Sequence, residues 1–508
     1  MRHPLLACAL ILSSLAGHAQ PAPTPWPTTQ WSTATPESQG LDPGALAGLF
    51  DYLATPAFNT DSVLVVRHGR IVAEAYAAPF RAGLRHDLRS VTKSVVATLV
   101  GTALQEGKLA SDQQKVLSFF PQHPANGPGQ EALTLRHLLD MRAGIQWRET
   151  PYDAQSDAVK MWSAPDMAGY ILALPVAAPG ESFLYSGAAP HLLSVVLSRS
   201  TGANAADYAR GGLFKTLGIN DFRWIADRQG HSVGESSLFL APRDMARIGL
   251  LHLRRGQWEG KQLLPAGWTE ALLNEGAPPP GPPPYRSLWW LDTTVPFAAA
   301  LGRHNQAIVL LPKQDMMLVL TSKTADTTRG PRAGELVRNH LLHAVKSDAA
   351  LPEDSAAQAQ LAQAMQRFAL RADPSSQTPS PAALAQSRRS HVLEPNAWGY
   401  REFALDLGAS QPSYRLLQAD SKAFTGQSTR GGPMGLDGRY VESTRANDKL
   451  WARRGRWVDE TTFRIETQHL EAAFVAEWTA RFLGDGKLEL LYANGDGDTL
   501  LMHGRVKE

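Results

Sequence analysis

Between residues 62 and 76 apolar and polar positions alternate. Val63 and Val65 lie before a His68-Gly69 turn and Ile71 and Ala73 after it, which predicts a β-hairpin. A helical stretch, 40–53, precedes it. Residues 95–104 are apolar almost all round, as in a fully buried helix, and Gly107 reads as its stop. Helical segments punctuated by Gly and Pro continue to about residue 273. Residues 306–311 and 316–322 are two apolar β-runs joined by Pro312-Lys313-Gln314-Asp315, a second predicted hairpin. Strands at both ends with helices between predict an α+β domain over 41–347, its antiparallel sheet closed by both termini and accompanied by a helical region.

Further on, 351–370 reads as a helix and 373–381 as a Pro/Ser linker, together filling 348–382. From Ala383 the pattern shifts to short alternating runs such as Phe403-Ala404-Leu405-Asp406-Leu407. Residues 383–508 are therefore expected to form a separate β-rich domain.

With 508 residues the chain is long enough for two or three domains. A net charge of +2 gives no electrostatic case for nucleic acid. No internal stretch is long and apolar enough to span a bilayer. Residues 1–19 have the plan of a secretory signal: Arg2 and His3, an apolar run from Leu5 to Leu15, then small residues before Gln20. An exported, secreted or periplasmic protein is expected, with 20–40 as an extended lead-in. The only cysteine, Cys8, lies inside the signal. The mature chain would thus lack disulfides, cysteine catalysis and zinc–thiolate sites. No metal or cofactor motif is present, and no cofactor is expected.

The mouth of the apolar helix carries the candidate chemistry. Ser90 stands three residues before Lys93, so the two share a helical face with β-carbons about 5–6 Å apart. A serine hydroxyl is a poor nucleophile until a neighbour takes its proton, and a desolvated lysine can lose its own charge and do so. Free N–H groups at the helix start add a field that favours an alkoxide-like transition state. Burial predicts a neutral Lys93. The competing reading makes Lys93 a surface residue of the first turn. S-x-x-K occurs once in the chain.

Tyr185, in Phe183-Leu184-Tyr185-Ser186-Gly187, is a candidate proton relay; the alternative is a core tyrosine with a satisfied hydroxyl. Gly302-Arg303-His304-Asn305-Gln306 reads as a strand entrance, Arg303 and Asn305 on one face and His304 on the other, able to supply an oxyanion N–H and a cation for an acidic substrate group. Taken alone it is an ordinary charged strand start. Gly230-His231-Ser232-Val233-Gly234 fits G-x-S-x-G but lacks the strand before and helix after that a nucleophile elbow requires, and is read as a loop.

Taken together these segments resemble the penicillin-recognising serine hydrolases: the class C β-lactamase and D-alanyl carboxypeptidase/esterase group, and within it the 6-aminohexanoate-dimer-hydrolase-like branch. The resemblance covers about residues 31–322. Segment 133–147, LTLRHLLDMRAGIQW, is similar to that branch's TLRHLLxMTSGLxW, and 241–249, APRDMARIG, to its TPRDLARFG helix. It implies a β-lactamase/transpeptidase-like fold, Ser90 as the acylated nucleophile, Lys93 as its base and Tyr185 as the third catalytic residue. Two departures stand out. Gly187 replaces the asparagine of Tyr-x-Asn, and the usual strand motif is altered around Arg303-His304-Asn305, with Gln306 following. The resemblance implies ester or amide hydrolysis on a small-molecule or peptide substrate. A β-lactamase or D-Ala-D-Ala carboxypeptidase, and a catalytically weak peptidoglycan-peptide binder, are the alternatives. All three proposed catalytic residues precede the linker, so the β-domain is expected to be dispensable for acylation. Oligomeric state is not readable from the sequence.

Overall fold

The computed structural model describes residues 26–270, 272–273, 281–324, 330–371, 376–419, 428–436, 438–444, 449–472, 474–495 and 497–508. The expected signal segment with Cys8, the start of the lead-in and part of the linker lie outside them.

The first helix, α1 (Pro43–Leu53), begins later than its pattern suggests because Asp42 caps it. Its carboxylate accepts from the N–H groups of Gly44 and Ala45 at 2.8 and 3.2 Å, and Pro43 fills a position that needs no N–H. Strands β1 (Thr60–Arg67) and β2 (Arg70–Tyr76) form the first predicted hairpin. His68 and Gly69 take φ of 49° and 72° at its turn. The two-residue β3 (His86–Asp87) leads into the apolar helix α2 (Val91–Gln105). After a helical region come β4 (Arg223–Trp224), β5 (Leu238–Leu240), the small hairpin β6 (Gln257–Trp258) and β7 (Lys261–Gln262), then β8 (Tyr285–Arg286), β9 (Trp289–Asp292), β10 (Phe297–Gly302), β11 (Gln306–Leu311) and β12 (Met316–Ser322).

The main sheet has the order β2-β1-β12-β11-β10-β9-β8. β1 pairs antiparallel with β12, Leu64 opposite Val319, so strands from the two ends of the domain meet in the sheet interior. Both faces are covered. Leu64, Val66, Ile308 and Leu310 face the core shared with α2, while Val63, Val65, Val309 and Leu311 face α1 and the helix Ser355–Leu370. The sheet is thus closed by both termini, with the helical region on one side, a β-lactamase/transpeptidase-like arrangement. Strands β8 to β10 extend it beyond the hairpins legible in the sequence.

One expected element is corrected. Residues 303–305 are the turn of the β10–β11 hairpin, not a strand entrance, and His304 and Asn305 adopt φ of 65° and 63°. The left-handed pair reverses the chain tightly, so face alternation does not apply there.

The C-terminal unit opens with the short helix Pro381–Ser387 and continues as β13 (His391–Leu393), β14 (Tyr400–Asp406), β15 (Ser413–Gln418), β16 (Ser428–Pro433), β17 (Val441–Thr444), β18 (Leu450–Trp457), β19 (Thr462–His469), β20 (Phe474–Phe482), β21 (Lys487–Asn494) and β22 (Thr499–Val506). They form one antiparallel sheet, β16-β15-β14-β13-β22-β21-β20-β19-β18-β17. The sheet curls until its ends approach: Gly435, just after β16, bridges to Arg454 of β18. Phe403, Leu416, Phe463, Ile465, Trp478 and Leu490 fill this near-barrel. It packs on the first domain through Leu470 and Ala452 against Phe80.

Candidate functional site

Ser90 is the N-cap of α2, and Arg89 before it takes a left-handed φ of 50°. That turn swings the chain from β3 into the helix. Arg89 is held in it by Asp87, whose carboxylate accepts the Arg89 N–H at 3.0 Å and pairs with its guanidinium at 3.2 Å. One turn into α2, Lys93 is only 1% exposed, and its Nζ donates to Ser90 Oγ at 3.0 Å. The helix spacing has brought the two side chains together as predicted, and the surface reading of Lys93 is excluded by its burial.

The lysine is held from the other side as well. Its Nζ donates to the carbonyl oxygen of Glu235 at 2.7 Å and lies 3.6 Å from that residue's carboxylate. It also sits 5.1 Å from the Tyr185 ring centre. Burial is the largest single influence on Lys93 and presses it toward neutrality. The fields of Tyr185, Glu235 and Glu149 together outweigh it, and the net shift is upward. The expectation of a neutral resting Lys93 is thereby corrected: burial was read without the negative groups that surround it.

Tyr185 stacks on Trp290 of β9, 5.6 Å between centroids at 24°, and meets Tyr285 edge-on. Gly187 caps the helix Ala188–Thr201. Its N–H donates to Glu149 Oε2 at 3.0 Å, and a Cβ at Gly187 would lie 3.5 Å from Glu235 Cβ and Cγ. Glu235 Oε1 accepts from Trp162 Nε1 at 2.8 Å and from Ser236 Oγ at 3.0 Å. A carboxylate thus borders the ground that an asparagine at 187 would enter. Glu149, Glu235, Trp162 and Trp290 escaped the sequence reading, since they lie on separate segments and no spacing links them to Ser90.

The strand beside the nucleophile is β10. A Cβ at Gly302 would stand 2.4 Å from the Leu88 carbonyl oxygen, so only glycine lets β10 come this close to the Ser90 turn. Pairing with β9 covers residues 297–299 of β10 and stops at Ala299, leaving the edge of Ala300–Gly302 free of that strand. The predicted substrate-binding residues lie just past it and divide. Arg303 is exposed and places its guanidinium 5.2 Å from the Tyr152 ring centre, and Tyr152 in turn donates to Glu149 at 3.0 Å. Arg303 is therefore on the rim next to Gly187. His304 Nδ1 bonds the Thr324 carbonyl at 2.9 Å and Asn305 Nδ2 donates to Thr324 Oγ1 at 3.3 Å. Gln306 exchanges two bonds with the Ser322 backbone, at 2.5 and 3.3 Å. These three side chains tie the hairpin to the end of β12, and His304 also acts electrostatically on Asp87 beside the Ser90 turn.

Ser232 is 1% exposed. Its Oγ accepts from the Ala206 N–H at 3.0 Å, and its carbonyl accepts from Ser194 Oγ at 2.6 Å. It staples a loop to two helices, as the missing elbow context implied. Among the described residues no cluster of His, Cys, Asp and Glu is arranged to hold a metal ion, and no helix is long and apolar enough to cross a membrane.

A family model described as Beta-lactamase matches residues 49–342, more than half of the chain. The 6-aminohexanoate-dimer hydrolase of Paenarthrobacter ureafaciens is 26% identical over 292 residues, a match spanning 53% of this chain and 73% of that protein. Penicillin-binding protein 4* of Bacillus subtilis (strain 168) is 25% identical over 154 residues, 28% of this chain and 32% of that protein. Among solved structures, a putative β-lactamase from Bacteroides dorei DSM 17855 superposes with a TM-score of 0.50 at 16% identity, covering 60% of this chain and all of that one, a likeness of fold.

Proposed function

Because the chain belongs to the Beta-lactamase family and is a serine hydrolase of that superfamily, we propose that it cleaves an ester or linear amide through an acyl-enzyme on Ser90. The observation that carries this reading is the hydrogen bond from Lys93 Nζ to Ser90 Oγ at 3.0 Å, made by a buried lysine that lies 5.1 Å from the Tyr185 ring centre.

In the proposed reaction Ser90 Oγ attacks the substrate carbonyl carbon. Its proton leaves toward the Lys93–Tyr185 pair. With Lys93 charged at rest, the form that reacts carries Tyr185 as the phenolate beside the ammonium; the phenolate takes the serine proton and becomes a neutral phenol, and the ammonium stabilises the negative charge that gathers on the serine oxygen. The substrate oxygen becomes an oxyanion between the Ser90 N–H, which donates to no backbone carbonyl among the described residues, and an N–H on the open edge of β10. The tetrahedral adduct collapses and expels an alcohol or amine, which takes up the proton. Water then attacks the ester on Ser90 by the reverse route and frees the acid.

The environment favours esters and linear amides over β-lactams. A β-lactamase grips the substrate's acylamino group with an amide side chain near the tyrosine and its carboxylate with a cation on the adjacent strand. Here a glycine stands at 187 with Glu235 beside it, and the only charge at the tip of the β10 hairpin is Arg303, whose planar fork differs from a lysine in reach and geometry. The name of the Paenarthrobacter relative points to the amide of a short linear dimer as one substrate class worth assay. Export by the 1–19 segment is part of the proposal.

Intact-mass analysis after exposure to a fluorophosphonate and to a penicillin tests the reading. One fluorophosphonate adduct per chain, mapped to Ser90, is expected. A folded protein that takes no adduct from either reagent would point instead to the peptide-binding alternative.

A further inference from the structure

We propose that the β19–β20 hairpin tip of the C-terminal barrel, with Glu471 at its centre, is a positioning element for the Ser90 turn. This rests on the reading of Ser90 as nucleophile and adds a part that the barrel plays in it.

β3 is only two residues long and pairs on one side with β5, His86 opposite Leu240 and Asp87 opposite Phe239. On its other edge the Asp87 N–H donates to the Glu471 carbonyl at 2.8 Å. The turn after β19 thus adds a backbone hydrogen bond to the outer edge of that small sheet. Asp87 is the residue whose carboxylate holds Arg89 in its left-handed turn, and Ser90 follows directly. A non-glycine residue held at positive φ persists only where its surroundings determine it. Here those surroundings run from the barrel through Asp87 to Arg89.

The Glu471 side chain reinforces the same joint. Its carboxylate, nearly buried, pairs with Arg85 at 2.7 Å and with Arg223 at 3.6 Å. Arg85 immediately precedes β3 and Arg223 opens β4, so one carboxylate clips two of the three strands together across the domain boundary. Residues 470–472 are themselves tied down. The N–H groups of Glu471 and Ala472 both converge on His469 Nδ1, at 3.3 and 3.1 Å, and Leu470 is buried against Phe80. On this proposal the barrel contributes to acylation, against the expectation that it is dispensable.

The test uses the full-length chain, p-nitrophenyl acetate and a fluorophosphonate probe. Labelling of the unaltered protein at Ser90 checks the nucleophile by itself, and its failure would remove that reading whatever Glu471 does. Given labelling, Glu471→Ala should lower kcat between about tenfold and 10²-fold, the effect of a small misplacement far from the chemistry, with KM within about twofold. Glu471→Asp should recover part of the loss. Glu442→Ala breaks a second ion pair across the boundary, with Arg81, which lies away from the Ser90 turn, and should leave kcat unchanged. If Glu471→Ala does not fold, Glu471→Gln, which keeps an acceptor for Arg85, is read by the same criterion. A folded Glu471→Ala protein, or Glu471→Gln where the alanine variant does not fold, with kcat within about twofold of the unaltered protein, or an equal loss in Glu442→Ala, would overturn the proposal.

Discussion

Glu235 and Gly187 face each other at van der Waals distance across the entrance to the Ser90–Lys93 pair, 3.5 Å from a Cβ built on the glycine to the glutamate's Cβ. A Cβ at 187 would rest in ordinary contact with that glutamate, and side-chain atoms beyond it would share the space with a carboxylate that is already bonded to Trp162 and Ser236.

Restoring the asparagine therefore should not restore a β-lactam grip. Gly187→Asn is expected to lower kcat/KM for an activated ester about tenfold, as its amide competes with the Glu235 carboxylate for one space. Glu235→Ala in the same chain should relieve most of that loss, because the two positions share one space. Additive effects in the double variant would show that they do not compete.

Ser90→Ala should abolish fluorophosphonate labelling. Ser232→Ala should be labelled normally, since that hydroxyl is sealed against the Ala206 N–H. The reverse pattern would move the nucleophile to the glycine-rich loop.

Lys93→Ala and Tyr185→Phe should each cost on the order of 10²–10⁴ in kcat. The Lys93 ammonium is held above its ordinary range. It should therefore stay charged between about pH 6 and 9 and contribute no limb to the pH–rate profile there. A limb in that window that survives Tyr185→Phe and vanishes in Lys93→Ala would show a titrating lysine.

His252 is buried against Trp289 and Thr98, and burial alone lowers its pKa to about 3. The unfolded chain then binds the extra proton first, near pH 6.5, so stability falls as pH drops from there toward 3. Between pH 7 and 4.5 this one group should remove about 2–3 kcal/mol. Urea titrations at the two pH values should show a smaller loss in His252→Phe than in the unaltered protein; equal losses would mean the imidazole is not kept neutral.

Activated short-chain esters should be turned over much faster than a chromogenic cephalosporin when both kcat/KM values come from one preparation. A cephalosporin value equal to or above the ester value would restore the β-lactamase reading.

Local pattern carried a good part of this architecture. Both hairpins, the buried helix and the β-rich end announce themselves through alternation or its absence, since each depends on neighbours a few residues away. Ser90 and Lys93 were legible for the same reason: helical spacing alone joins them. What stayed hidden depends on distant segments. β8 and β9 are too short to show a period, and β10 carries Ala298, Ala299 and Ala300 where alternation would be visible only with a polar face. Glu235 and Glu149 join Tyr185 in reversing the direction of the Lys93 shift, yet each is an isolated acid in a loop. The 302–306 segment misled because a charged strand entrance and a hairpin turn share residue types, and only the φ values of His304 and Asn305 separate them.

The pairing of β1 with β12 has a consequence for how the chain reaches its native state. Leu64 must find Val319 across most of the first domain, while β1 and β2 can close their hairpin at once. On a ribosome the hairpin emerges long before its inner neighbour. Until β12 arrives, β1 presents an unpaired edge rich in valine, the kind of surface that recruits other strands. Contacts this remote in sequence also slow the search for the folded form. The step that completes the sheet is thus the one most exposed to misassembly, and chaperone need or aggregation should be governed by the interval before residues 316–322 become available.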